Sequence, residues 1–132
     1  MVTFLLDTNV ISEPPRAHPS AKLLRRLEQH EGQIAIGAVT WHEIVYGLER
    51  MPAGRKKEGL RAYFAVVRAT LPILPYDVRA AAWHAQERAR MKKTPPFVDG
   101  QIAAIAATND LTLVTADADF GPFDVKVVNW LK

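Results

Sequence analysis

No cysteine occurs among the 132 residues, which excludes disulfides and thiolate metal sites and suits a reducing compartment. No stretch approaches the roughly 20 apolar residues of a membrane span. Met1 to Leu6 lack the charged region, apolar stretch and cleavage site of a signal peptide, so a cytoplasmic location is expected. The seven glycines never form Gly-x-x-x-x-Gly-Lys or Gly-x-Gly-x-x-Gly, leaving no loop built to cradle nucleotide phosphates. A Gly-x-Ser-x-Gly elbow is missing as well, so serine-hydrolase chemistry has no support. Trp41-His42-Glu43-Ile44-Val45-Tyr46 starts like a zinc-protease helix but has Tyr46 where the second histidine is needed. A strong excess of one sign of charge is also missing. Seventeen Lys and Arg against fourteen Asp and Glu give +3, which permits an anionic partner without demanding one.

What is present describes a globular domain, with 48% hydrophobic and 23% charged residues. The length suits a single domain over residues 1–132, with no repeat or linker to divide it. Phe4-Leu5-Leu6 is a short apolar run ending on Asp7, as in a central strand buried on both faces. Pro14 and Pro15 stop any helix begun at Asn9. Ser20 is expected to cap a helix to about His30, with Leu23, Leu24 and Leu27 on one face. A strand over 33–37 follows. Thr40 then opens a helix from Trp41 to Met51 with Ile44, Val45 and Leu48 buried, and another helix runs from Arg55 to about Thr70. Ile73-Leu74-Pro75 reads as a weak edge strand. Asp77 caps a helix running to about Lys93, and the next starts near Val98 or Asp99. Strands follow over 111–115 and 125–128. Alternating strands and helices predict a three-layer α/β/α sandwich, its four- or five-stranded, mostly parallel sheet centred on the first strand.

On that scaffold four acids fall at the carboxyl ends of strands, where open α/β sheets bind ligands. Asp7 ends the first strand, Glu43 lies one turn into the helix after the second, Asp99 starts the helix leading into the fourth, and Asp117 follows that strand. Each has a structural alternative. Glu43 stands three residues after Thr40, the spacing of a capping box. Asp99 can answer a helix dipole, and Asp117 and Asp119 can simply form a turn. Together, however, carboxylates in one cleft repel and raise one another's pKa. A hard divalent cation resolves that repulsion, and all-oxygen ligation suits one or two Mg²⁺ or Mn²⁺ ions. Such a site can hold a phosphodiester and activate water.

The motifs Leu6-Asp7-Thr8-Asn9-Val10-Ile11-Ser12, Thr40-x-x-Glu43-x-x-x-Gly47, Val98-Asp99-x-x-Ile102-Ala103-Ala104 and Leu113-Val114-Thr115-x-Asp117 resemble the PIN domain. More narrowly, they resemble the VapC toxins of VapBC-type toxin–antitoxin pairs, including the FitB-like branch. The resemblance spans nearly the whole chain. It implies a Mg²⁺- or Mn²⁺-dependent endoribonuclease acting on RNA, held inactive by a cognate antitoxin that also binds operator DNA. It further implies a homodimer or a toxin–antitoxin hetero-oligomer. The family's acids fall on Asp7, Glu43, Asp99 and Asp117, and Thr8, Asn9 and Thr115 match its supporting polar residues. The last motif departs from the family pattern, which often reads Thr-Arg-Asn or Thr-Arg-Asp and then, after two residues, Asp-Phe. Here Thr115-Ala116-Asp117-Ala118-Asp119-Phe120 has alanine in second place and one residue fewer. Asp117 is therefore preferred as the fourth acid, with Asp119 in a supporting role.

Arg88, Arg90, Lys92 and Lys93 lead into the loop before Asp99. They read either as a solvated helix end answering the dipole or as a rim that positions RNA phosphates. Two other readings stand beside the nuclease. One is a catalytically silent module that binds RNA or antitoxin. The other is a phosphatase of the haloacid dehalogenase type with Asp7 as nucleophile, which wants an acid where Asn9 stands.

Overall fold

The computed structural model describes residues 1–132. Five strands form one sheet: β1 (Phe4–Leu6), β2 (Ile34–Gly37), β3 (Ile73–Leu74), β4 (Thr112–Val114) and β5 (Val127–Val128). Their order is β3-β2-β1-β4-β5 and every pairing is parallel. β1 is therefore central, flanked by β2 and β4. The helices are α1 (Thr8–Ile11), α2 (Ala21–Gln29), α3 (Ala38–Arg50), α4 (Arg55–Thr70), α5 (Val78–Arg90) and α6 (Phe97–Thr108), with a 3₁₀ turn at Ala118–Phe120.

Register and pleat together create two cores. Leu5 pairs with Ala35 and Leu113, and all three face a cluster containing Ala80 of α5, Ile102–Ala106 of α6, and Phe120. Leu6 pairs with Ile36 and Val114, which face the opposite cluster with Val10, Leu23, Ile44, Phe64 and Val67. Successive side chains thus enter opposite layers, the period-two rule of a strand covered on both faces. Burying Leu5 and Leu6 fully contributes about 1.5–3 kcal/mol each, which fixes the strand that carries Asp7.

The caps at Ser20 and Asp77 form as the sequence predicts, accepting from the backbone N–H groups of Leu23 and Ala80. Several boundaries differ. α3 begins at Ala38 behind Gly37, so Thr40 lies inside the first turn, buried, and does not cap it. α5 ends at Arg90, three residues before Lys93, because Met91 turns to extended backbone. Leu24 and Val45 are exposed rather than buried. Each lies one residue beyond a buried Leu23 or Ile44, about 100° around a 3.6-residue helix, which carries it off the core face.

Candidate metal centre

The parallel register that builds the sheet also assembles the acids. Leu6 is opposite Val114, so the next residues, Asp7 and Thr115, emerge side by side at the carboxyl edge. The Thr115 hydroxyl donates to Asp7 Oδ2 at 2.7 Å, and the Thr8 backbone N–H donates to Oδ1 at 2.7 Å. Both oxygens of a side chain only 6% exposed are therefore held. On the other flank Leu6 is opposite Ile36, so α3 starts beside α1. The Thr8 hydroxyl donates to Glu43 Oε1 at 2.7 Å and lies 3.5 Å from the Thr40 hydroxyl. The capping-box reading of Thr40 and Glu43 does not hold: the helix starts behind Gly37 with no side-chain cap, and both residues face Thr8 instead.

The Thr115 hydroxyl also accepts from the Asp117 backbone N–H at 3.0 Å, and Asp117 Oδ1 in turn accepts from the Asp119 N–H at 2.9 Å. This chain folds the 3₁₀ turn back over the sheet edge. Asp117 thus serves the turn that sequence reasoning allowed it, while its carboxylate stays within reach of the other acids. One carboxylate oxygen each from Asp99, Asp117 and Asp119 lies within 4.8 Å of the others. Asp119 therefore stands beside Asp117 rather than behind it, and its carboxylate is exposed. Asn9 is exposed and makes no side-chain hydrogen bond.

The electrostatics agree with one acidic rim. Burial raises the pKa of Asp99 to about 6, reinforced by the negative charges of Asp117, Asp7, Asp119 and Glu43. Asp7 is also raised, chiefly by burial. The Thr115 and Thr8 bonds oppose that rise, and Glu43 and Asp117 add to it. No cation neutralises the group, since the two ion pairs of the chain are Arg16–Glu13 and Arg90–Glu87. Hard carboxylate oxygens gathered without a counter-charge fit a divalent cation.

The basic residues divide. Arg90 is committed to the fold: Nε and Nη2 donate to the Glu87 carboxylate at 2.8 and 2.6 Å, and Nη2 also reaches the Pro122 carbonyl at 2.9 Å. Those bonds occupy its guanidinium, while about half of the side chain stays exposed. Arg88 lies over the Phe97 ring at 5.2 Å, and Lys92 and Lys93 are exposed in the loop before α6. Next to Thr8 and Glu43 opens a cleft of about 830 Å³ with an apolar floor of Ile44, Leu48, Leu60 and Phe64. Arg16, His18 and Lys56 stand along it. Sequence reasoning did not find this cleft, because its walls come from three separated segments. It also did not find Thr40 as part of the site, although the i, i+3 spacing to Glu43 was the available signal.

Residues 4–126 match the family described as the PIN domain. Toxin FitB of Neisseria gonorrhoeae is 36% identical, covering 95% of this chain and 96% of the relative. VapC ribonuclease Y4jK of Sinorhizobium fredii is 32% identical, covering 91% and 89%. Among solved structures, the crystal structure of FitAcB from Neisseria gonorrhoeae superposes with a TM-score of 0.88 at 34% identity, over 97% of this chain and 98% of that one. The structure of FitAB bound to an IR36 DNA fragment gives 0.86 at 31%, over 98% and 96%.

Proposed function

This chain belongs to the PIN-domain family, and from that premise we propose that it is a divalent-metal-dependent endoribonuclease, the toxin of a toxin–antitoxin pair. One observation carries the reading. Asp7, Glu43, Asp99, Asp117 and Asp119 share a single rim at the carboxyl edge of the sheet, and no Lys or Arg is paired with any of them. Relatives named as a toxin and a ribonuclease, and neighbours solved as FitAcB and as FitAB bound to a DNA fragment, support it.

Asp7, Glu43, Asp99 and Asp117 would hold the ion, Mg²⁺ or Mn²⁺, with Asp119 beside them. When bound, it supplies Lewis-acid stabilisation of phosphate charge and a more acidic water. The protein's own part is positioning. Thr115 and Thr8 hold both Asp7 oxygens, Thr8 aims Glu43, and Thr115 ties Asp117 to the same hydroxyl. Lys92 and Lys93, exposed beside α6, fit a role in steering the RNA backbone. The apolar floor of the neighbouring cleft suits a segment of the antitoxin, and operator DNA is reached only through that partner. A cytoplasmic setting follows from the RNA substrate. The haloacid dehalogenase alternative loses ground because position 9, where it wants an acid, is Asn9 and points into solvent.

The test is cleavage of RNA by the full chain with Mg²⁺ or Mn²⁺, compared with Asp7→Asn and Asp99→Asn. Loss of cleavage in both variants is expected. Undiminished cleavage by both would sink the assignment, and a wild type that binds RNA without cutting it would favour the silent module. Co-expression with the product of a small adjacent reading frame should abolish cleavage.

A further inference from the structure

Asp99 differs from its neighbours in having nothing of its own to hold it. No protein hydrogen bond reaches its carboxylate, so its place depends on the backbone of the first turn of α6. That turn is itself poorly tied. Pro96 stands at the N-cap and supplies no side-chain cap, and the Gly100 N–H to Pro96 carbonyl bond is long at 3.3 Å. Something else must fix it.

The candidate is a ring on the facing helix. His84 of α5 is 2% exposed and packs directly on the backbone of Gly100, the residue after Asp99. A Cβ at position 100 would overlap His84 Nε2, Cδ2 and Cε1, so glycine is what lets the ring reach the helix. The ring has little freedom to retreat. Its Nδ1 is 3.0 Å from the Tyr76 hydroxyl, and its centroid is 4.7 Å from that of Phe97. Phe97 is the first residue of α6 and has the Arg88 guanidinium over its ring, 5.2 Å from the centroid.

We propose that His84 is a positioning residue for the metal centre: seated on Gly100 and braced by Tyr76, it fixes the first turn of α6 and with it the Asp99 carboxylate. The inference rests on the metal-dependent reading above. It assigns a task to a buried histidine outside the acidic rim, and to a glycine whose small size has no other evident use inside a helix.

The experiment measures Mn²⁺ binding to the full chain by the loss of the free-ion paramagnetic signal, alongside thermal unfolding. Gly100→Ala and His84→Ala should each weaken Mn²⁺ binding about tenfold, the lower end of what supporting residues contribute to a metal site. Adding His84→Ala to Gly100→Ala should cost no more than about the tenfold of either change alone, because the overlap disappears with the ring and both changes act through the same contact. Tyr76→Phe, a milder change, should weaken binding about threefold, the scale of one hydrogen bond. A purely structural contact would lower the unfolding temperature and leave Mn²⁺ affinity unchanged in the folded variants, and that result overturns the proposal. Should Gly100→Ala fail to fold, His84→Ala and Tyr76→Phe decide by the same criterion. A folded wild type that takes up no Mn²⁺ overturns instead the metal-dependent reading on which the proposal stands.

Discussion

The two halves of the acidic rim are built in different ways. On the strand side, Asp7 sits at the end of β1 with both oxygens hydrogen-bonded, and Glu43 is aimed by the Thr8 hydroxyl. On the helix side, Asp99 has no hydrogen bond to its carboxylate, and Asp119 stands exposed with only its backbone N–H engaged. The strand half is organised by the fold before any ligand arrives. The helix half holds charge close together without compensation, so a cation has most to gain there.

The contrast is tested most severely by neutralising one acid from each half. Asp7→Asn and Asp99→Asn should each lower cleavage by at least about a hundredfold, since removing a ligand should exceed the ten- to hundredfold cost of losing a supporting residue. Their effects on the metal-free protein should be opposite in sign. Asn at position 7 puts an NH₂ where an oxygen accepted a hydrogen bond, at a cost of about 1–2 kcal/mol. Asn at position 99 loses no hydrogen bond and removes one of several mutually repelling charges, so it should raise the unfolding temperature. Calorimetry in chelator checks both signs. If the two variants shift together, the halves are not distinct.

Thr115→Val probes the hinge between them. The hydroxyl donates to Asp7 and accepts from the Asp117 N–H, and valine keeps the volume while removing both. Stability should fall by about 1.5–3 kcal/mol, the range for a hydrogen bond to a charged group. Metal affinity should fall roughly ten- to a hundredfold, read by titrating Mn²⁺ against cleavage.

A pH series sharpens the difference further. Asp99 holds its proton up to about pH 6 in the folded chain, against an ordinary value of 3.8. Between those values the folded state binds more protons than the unfolded one. Stability contributed by protonated Asp99 is therefore present at low pH and lost as pH rises through about 6. Burial lowers the pKa of His84, with Arg88 adding to it, which gives the opposite slope as pH falls below its ordinary 6.5. The comparison with Asp99→Asn isolates the carboxylate: the wild type minus variant difference should decline from pH 4 to 6 in chelator. Cleavage should run the other way and fall as pH drops, at a pH below about 6 that moves upward as the Mn²⁺ concentration is lowered, because a carboxylate must be ionised to hold a cation and the cation competes with the proton.

How much of this the sequence discloses follows the same divide. The strand half is legible because β1 is a short apolar run ending on an acid, and a parallel neighbour can only bring Thr115 alongside. The central β1, the edge strand at Ile73–Leu74 and the caps at Ser20 and Asp77 follow from equally local signals, whereas the full strand order does not. The helix half is less legible. Nothing local says that α5 stops at Arg90 or that α3 starts at Ala38 rather than after Thr40. Those outcomes depend on contacts between segments far apart in the chain, such as the Glu87 carboxylate accepting from the Asp124 N–H. Asp119 shows the same limit. Its spacing ranks it behind Asp117, whereas its place beside Asp99 comes from the 3₁₀ turn.

The smallest expected effect concerns the basic edge of the helix half, where four cations adjacent in sequence separate into two kinds. Lys92→Ala with Lys93→Ala should leave the unfolding temperature unchanged, since both side chains are exposed and make no ion pair. RNA binding should weaken by a few-fold and become less salt-dependent, each lost phosphate contact removing about 0.7 from the slope for a single strand. Arg90→Ala should do the reverse. It strips Glu87, a buried carboxylate held low in pKa by its Arg90 bond, of its only cationic partner, so stability falls while the salt slope stays where it was. Filter binding at several salt concentrations, with melting curves on the same samples, separates the two. A salt slope that responds to Arg90 as strongly as to the lysine pair would return Arg90 to the RNA-binding edge and erase that part of the distinction.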